Sequence, residues 1–136
     1  MLYVPASLFH DFQHNRYPLT RAYVGECLRA LLPDGFPISV QAPLCLEVVL
    51  RQKDGQRQIH FVNRASGLPN VPDSGAIDEI PAVGPVTVQF RGQAAAPRTV
   101  RLAFSEQHVD VRHDPAAATL TVRIPAIAIH DTLVVE

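Results

Sequence analysis

Residues 44–63, LCLEVVLRQKDGQRQIHFVN, decide the fold of this chain. Apolar and polar residues alternate on both sides of Lys53-Asp54-Gly55, and a period of two is typical of a β-strand with one buried face. Aspartate followed by glycine favours a tight turn between antiparallel strands. The stretch therefore predicts a β-hairpin, with a first strand from Leu44 to Arg51 and a return strand that ends at Asn63.

Five further segments show strand-like patterns. They are residues 86–90, 99–104, 109–112, 119–124 and 133–136. Residues 64–85 are rich in Pro, Gly, Ser and Asp, which predicts a long connection that crosses between two sheets. About seven short strands separated by turns favour a mainly β fold, an antiparallel immunoglobulin-like β-sandwich with Greek-key connections.

The first 36 residues follow a different period. Apolar side chains recur at intervals of three and four from Thr20, a plausible N-cap, to Leu32, and this spacing predicts a helix that Pro33-Asp34-Gly35 ends. Residues 5–9 predict another short turn of helix. We expect one domain over residues 1–136, made of a helical N-terminal segment (1–36) and a β-sandwich (37–136).

One face of the predicted helix is apolar. Its residues are Tyr23, Val24, Leu28 and Leu31. Because a bare apolar stripe is an association site, we expect it to pack on the sandwich, on a second copy of the chain or on a partner protein.

Composition limits the partners. The 136 residues are 47% hydrophobic, with 12 basic and 13 acidic residues and a net charge of −1. This balance gives no attraction for a phosphate backbone, and no apolar run is long enough for a membrane span, so neither nucleic acid nor a membrane is expected.

Without a signal-peptide pattern at the start, we expect a cytoplasmic protein. Cys27 and Cys45 are then expected to be buried free thiols, with a disulfide between them as the alternative.

The sharpest chemical motif is His10-Asp11-Phe12-Gln13-His14. On a helix, histidines at i and i+4 share a face, as in the H-E-x-x-H zinc hydrolases, but aspartate stands here in place of glutamate and no third ligand is evident. An exposed or interface histidine pair is the structural alternative. The serines and cysteines lack the settings of nucleophiles, so we expect no catalytic residue, no metal and no cofactor.

Three short segments carry a family resemblance. They are QIHFVN (58–63), IPAV (80–83) and IPAIAIHD (124–131). In this order they resemble the C-terminal β-sandwich of bacterial glycoside hydrolases related to β-galactosidases with a trimerization-type domain, including α-L-fucosidase-like members, although Asp131 stands where that family has glutamate. Leu2-Tyr3-Val4-Pro5 and residues 17–32 look like the last strand and the last helix of the amidotransferase-like α/β domain that precedes the sandwich there.

The resemblance implies that the catalytic carboxylates of such enzymes lie on a barrel that this sequence does not contain. His60 and His130 are then expected to tie neighbouring strands or loops together, and Asn63 to be a turn residue. We therefore expect a noncatalytic accessory or protein-interaction domain. The alternatives are a carbohydrate-binding module, for which the chain lacks Trp and has Tyr only near its start, and a zinc hydrolase built on His10 and His14.

Overall fold

The computed structural model describes His10, His14 and residues 18–32, 34–65 and 80–136. The chain forms two compact units, Met1–Phe36 and Pro37–Glu136. Within the described residues, the first unit contains helix α1 (Pro18–Leu31) and the second contains eight strands. The predicted helical turn over residues 5–9 lies outside the described residues, as does the strand predicted for residues 2–5. No described helix is long and apolar enough to cross a membrane.

Helix α1 begins two residues earlier than predicted. It starts at Pro18, so Thr20 lies inside the helix and its prediction as the N-cap is wrong. Proline suits a first turn because its fixed φ is helical and its missing N–H would have no partner there. At the other end, the Leu32 amide donates to the Leu28 carbonyl at 3.1 Å, and Gly35 adopts a φ of 73° that glycine tolerates.

Eight antiparallel strands form two four-stranded sheets, which confirms a mainly β sandwich with one strand more than the seven predicted. In chain order they are β1 (Ile38–Gln41), β2 (Leu46–Lys53), β3 (Gln56–Asn63), β4 (Val86–Arg91), β5 (Val100–Leu102), β6 (Asp110–Asp114), β7 (Thr119–Ile124) and β8 (His130–Val135). One sheet has the order β1-β4-β7-β6 and the other β2-β3-β8-β5. The connection from β3 to β4 passes from one sheet to the other, as predicted.

The core lies between the two sheets. The first sheet contributes the alternate residues of β4 and β7, and the second contributes those of β3 and β8. The largest fully buried side chains are Phe61, Phe90, Ile59, Leu120, Ile124, Ile127, Leu133, Val86, Val88 and Val122. Fully burying such a side chain stabilises the folded state by about 1.5–3 kcal/mol compared with leaving it exposed to water. The inward alternation predicted for residues 119–124 is confirmed, because Leu120, Val122 and Ile124 are all completely buried.

The predicted hairpin is present as β2 and β3, paired from Leu46 with Asn63 to Lys53 with Gln56. Asp54 and Gly55 both have positive φ, 51° and 82°, as a two-residue turn of this kind requires. The predicted burial is only partly correct. Leu44 precedes the strand and is 79% exposed, and Leu50 is 51% exposed because β2 lies at the edge of its sheet.

Several strands differ from the sequence prediction. Strand β1 was missed, β5 ends at Leu102 instead of Phe104, β6 is shifted by one residue at its start, and β8 begins three residues early at His130. The sequence pattern does not reveal the early start of β8, because Asp131 and Thr132 are polar and yet buried. Buried polar groups require hydrogen-bond partners. Those of Asp131 include Phe104 and Ser105 in the β5–β6 connection, and that of Thr132 is His60 in β3.

Four connections meet at the same end of the sandwich, because the strands are antiparallel. They are the connections β1–β2, β3–β4, β5–β6 and β7–β8. Val83 and Ile127 join two of them through a pair of backbone hydrogen bonds of 2.8 and 2.9 Å. We call this the loop end of the sandwich.

Replacing Gly84 by alanine is expected to destabilise the sandwich by about 2–3 kcal/mol, because there is no room for a side chain. A Cβ at Gly84 would lie 2.2 Å from the Pro125 carbonyl oxygen, and backbone cannot move aside as a flexible side chain does. Urea unfolding of the full chain measures the change. Gly25→Ala is the matched control, since its Cβ meets only the Arg29 guanidinium at 3.8 Å and alanine favours a helix by up to about 1 kcal/mol. An unchanged urea midpoint for Gly84→Ala would show that the two connections do not pack this closely.

Candidate functional site

The buried polar side chains of the described residues gather at or near the loop end. They are Asn63, Asp131 and Thr132, which are 5%, 4% and 3% exposed. Asn63 is the last residue of β3, and the other two follow His130 at the start of β8. Because burying a polar group costs free energy unless it is hydrogen-bonded, the partners of these side chains define what this end of the molecule can do.

Asn63 joins two connections, β3–β4 and β7–β8, through one side chain. Its Nδ2 donates to the carbonyl oxygens of Pro81 at 2.8 Å and Ala128 at 2.5 Å, while its Oδ1 accepts from the Ala65 amide at 2.9 Å. Its backbone amide also donates to the Ile129 carbonyl at 2.8 Å. The side chain and backbone of Asn63 therefore hold the β3–β4 connection to the β7–β8 connection.

Asp131 fixes the connection from β5 to β6. Its Oδ1 accepts from the backbone amides of Phe104 at 3.1 Å and Thr132 at 2.7 Å, and its Oδ2 accepts a short hydrogen bond from the Ser105 hydroxyl. Hydrogen bonds to a carboxylate are stronger than neutral ones. The buried carboxylate therefore sets the backbone position of Phe104 and orients the Ser105 hydroxyl.

The two histidines selected from the sequence lie side by side. The rings of His60 and His130 are stacked with centroids 6.1 Å apart. His60 Nδ1 lies 2.9 Å from the Thr132 hydroxyl oxygen, which links β3 to β8, whereas its Nε2 is buried and has no hydrogen-bond partner among the described residues. His130 is exposed, and its ring lies 5.0 Å from that of Phe104. His60 thus ties neighbouring strands through a side chain rather than through backbone groups.

A hollow of about 520 Å³ opens next to these residues. Phe104, Ile129 and His130 form its sides, and small alanines from two connections line the rest, with Ser105, Gln107 and Asp131 as the polar groups. Sequence reasoning missed Phe104 because alternation from Val100 and Leu102 places it inside. The strand ends at Leu102, and Phe104 is 70% exposed.

The described residues of the hollow do not form a serine triad or the carboxylate pair of a glycosidase. Its Ser105 hydroxyl donates to Asp131, whereas a triad serine donates to an imidazole. Among the described residues that line it, Asp131 has the only carboxylate, and glycosidases of the two-carboxylate type need a second about 5–9 Å away. In the described part of the chain, no group of three or more His, Cys, Asp or Glu side chains is placed to hold a metal ion.

His10 and His14 are brought together, as the helical spacing predicts. Both are helical and exposed, and their ring centroids lie 4.4 Å apart. Asp11, the acidic residue of the motif, lies outside the described residues. Cys27 and Cys45, which lie in different units, are both half-buried free thiols.

The predicted association face on α1 is partly exposed. Tyr23, Leu28 and Leu31 are 51%, 43% and 51% exposed, and Val24 is half-buried. The pKa of Tyr23 is raised above its ordinary value. The main cause is a side-chain hydrogen bond with Cys27, and the charge interaction with Cys27 and desolvation add to it. Association of this face with a second copy or a partner protein stays a prediction.

Comparison with known proteins reveals a similar fold. No protein-family profile and no curated protein sequence matches the chain. Among solved structures, alpha-L-fucosidase isoenzyme 2 from Paenibacillus thiaminolyticus is similar, with a TM-score of 0.74 and 18% sequence identity. The match covers 95% of this chain but only 19% of the fucosidase chain. This chain is thus similar in fold to about a fifth of that enzyme.

Proposed function

We propose that this chain is a noncatalytic accessory domain of a carbohydrate-active enzyme, which it stabilises or helps to assemble. The observation that carries this proposal is the fold similarity of nearly the whole chain to a minor part of an α-L-fucosidase. Similarity at 18% identity concerns the fold, and a shared fold does not by itself imply a shared activity. The first unit, with α1, would then correspond to the end of an amidotransferase-like α/β domain.

The use of polar side chains at the loop end supports a structural role. The side chains of Asn63 and Asp131 form hydrogen bonds with backbone amides, backbone carbonyls and a neighbouring hydroxyl. A catalytic acid or base instead needs a proton-accepting or proton-donating position that faces the substrate. These two residues are therefore suited to holding loops in place.

An activity panel tests the noncatalytic role. The full chain is incubated with nitrophenyl glycosides of α-L-fucose, β-D-galactose and related sugars, with an authentic fucosidase and galactosidase as positive controls. We expect no release of nitrophenol above the buffer rate. Saturable turnover that copurifies with the chain and disappears in Asp131→Asn would overturn the proposal and identify Asp131 as catalytic.

Zinc content separates this proposal from a zinc hydrolase. Two imidazoles supply half of the four ligands of a typical tetrahedral zinc site, so we expect the dialysed protein to retain well under one equivalent of zinc. Elemental analysis of the wild type and of a His10→Ala/His14→Ala variant measures it. One equivalent that survives dialysis, and is lost in the double variant, would instead support a zinc site at this pair.

A further inference from the structure

We propose that the hollow beside Phe104 binds a neutral pyranose sugar. Such a site goes beyond the accessory role, because it gives the loop end a ligand of its own. It is also independent of that role: a chain that binds no sugar can still stabilise an enzyme, and a sugar-binding chain can still be noncatalytic.

An exposed aromatic face is the first requirement for such a site, and Phe104 provides it. The ring is 70% exposed and lies at 49° to the ring of His130, with 5.0 Å between the centroids. The face of an aromatic ring carries partial negative charge, which attracts the C–H groups on the apolar face of a pyranose. The aromatic platform that the tyrosines do not supply is therefore present as a phenylalanine.

The platform is held in place before any ligand arrives. The Phe104 amide donates to the buried Asp131 carboxylate, and the amide of Ala103 donates to the Thr132 carbonyl at 2.9 Å. The two bonds anchor the loop to β8 at Phe104 itself and at the residue before it. Preorganisation of this kind lowers the ordering cost of binding.

The rest of the hollow has the size and shape for a small ligand. Its volume of about 520 Å³ lies within the range of about 300–1,000 Å³ typical of small-molecule sites. Ala82, Ala126 and Ala128 line it with methyl groups only, which leaves space beside the aromatic rings.

Free polar groups lie next to the apolar surface. Gln107 and His130 line the hollow and are exposed, and within the described part of the chain neither side chain has a hydrogen-bond partner. An amide and an imidazole each offer both a donor and an acceptor, which matches the mixed character of sugar hydroxyls.

The charges favour a neutral ligand. No lysine or arginine is among the described residues that line the hollow, and its one carboxylate already accepts three hydrogen bonds. An anionic ligand would lose hydration without gaining a basic partner. A neutral ring with one apolar face and several hydroxyls fits these constraints better than a uronic acid.

Titration of the isotope-labelled full chain, followed by amide NMR, tests the site. The probes are the methyl glycosides of L-fucose, D-galactose and D-glucose at up to about 50 mM, because one aromatic contact and few hydrogen bonds give affinities near the millimolar range. We expect saturable shifts at Phe104, Ser105, Gln107, Ile129 and His130 with at least one of them. Methyl glucuronoside and glycerol serve as charged and acyclic comparisons, and we expect weaker binding from both.

Two variants assign the shifts to the ring. Phe104→Ala is expected to weaken binding at least about tenfold, while Phe104→Tyr retains it, because tyrosine keeps the aromatic face. Phe36→Ala removes a 40% exposed phenylalanine of the other unit and is expected to bind like the wild type. The proposal is overturned if no neutral sugar gives saturable shifts, if Phe104→Ala binds equally well, or if the glucuronoside binds best. Shifts of the same residues with protein concentration alone would also overturn it, in favour of a second copy of the chain.

Discussion

Asn63→Asp is expected to destabilise the sandwich by about 3–5 kcal/mol, the cost typical of a buried charge without a partner. The change replaces the Nδ2 donor with an oxygen that faces the carbonyls of Pro81 and Ala128, at the present distances of 2.8 and 2.5 Å. At neutral pH a carboxylate there would repel both carbonyls while remaining buried. Urea unfolding at pH 7 measures the loss.

Two further variants separate charge from the loss of hydrogen bonds. Asn63→Ala removes the same bonds without adding charge, and we expect a smaller loss of about 2–3 kcal/mol. Gln52→Glu makes the same amide-to-acid change at an exposed position of β2, where surface substitutions usually stay within about 0.5 kcal/mol. Equal stability of Asn63→Asp and wild type would mean that Asn63 does not bind these carbonyls.

Asp131→Ala is expected to cost about 2–4 kcal/mol, because it leaves backbone donors at the loop end without their acceptor. The amides of Phe104 and Thr132 and the hydroxyl of Ser105 all donate to this carboxylate. We also expect the amide resonances of Phe104 and Ser105 to broaden or move, since the loop loses its attachment to β8. Thermal or urea unfolding and an amide NMR spectrum of the variant measure the two effects.

Asp114→Ala is the matched control for this change. Asp114 Oδ1 also accepts two backbone amides, those of Ala116 and Ala117, both at 3.0 Å, but the residue is exposed. Because water can replace an exposed acceptor, we expect a loss of only about 1 kcal/mol. If the two variants are equally stable, the burial of Asp131 contributes nothing to its role.

The sequence was sufficient to predict the elements whose pattern is local. The hairpin follows from alternation around Asp54 and Gly55, and both residues adopt the positive φ that the turn requires. Strand β7 and its three inward residues were predicted with correct bounds. In each case the buried face and the turn residues lie within a few positions of one another, so no distant partner is needed to recognise them.

The missed features depend on residues far apart in the chain. Strand β1 has four residues, and its pairing with β4 gives it a place in the sheet that its own short pattern does not reveal. The start of β8 contains a buried aspartate whose partners are 26 and 27 residues earlier. In the sequence, such a polar residue looks like part of a loop, because its hydrogen-bond partners are not visible there.

The candidate site was predicted only in part, for the same reason. His60, Asn63 and His130 were selected from the sequence and lie together at the loop end. Phe104 was not selected as a site residue, because β5 stops two residues before the predicted end and leaves this phenylalanine exposed instead of in the core. Asp131 was not selected because its partners lie far away in the chain. Recognising the exposure of Phe104 required the position of the strand end.

Amide hydrogen exchange of the wild-type chain tests most directly whether the buried polar side chains hold the loops. The amides of Phe104 and Ala65 lie outside the strands and donate to the side chains of Asp131 and Asn63. We expect both to exchange at least about 100-fold more slowly than an unstructured peptide. Exchange of both amides at the rate of an unstructured peptide would contradict the structural role given to Asn63 and Asp131, and with it the central support for a noncatalytic loop end.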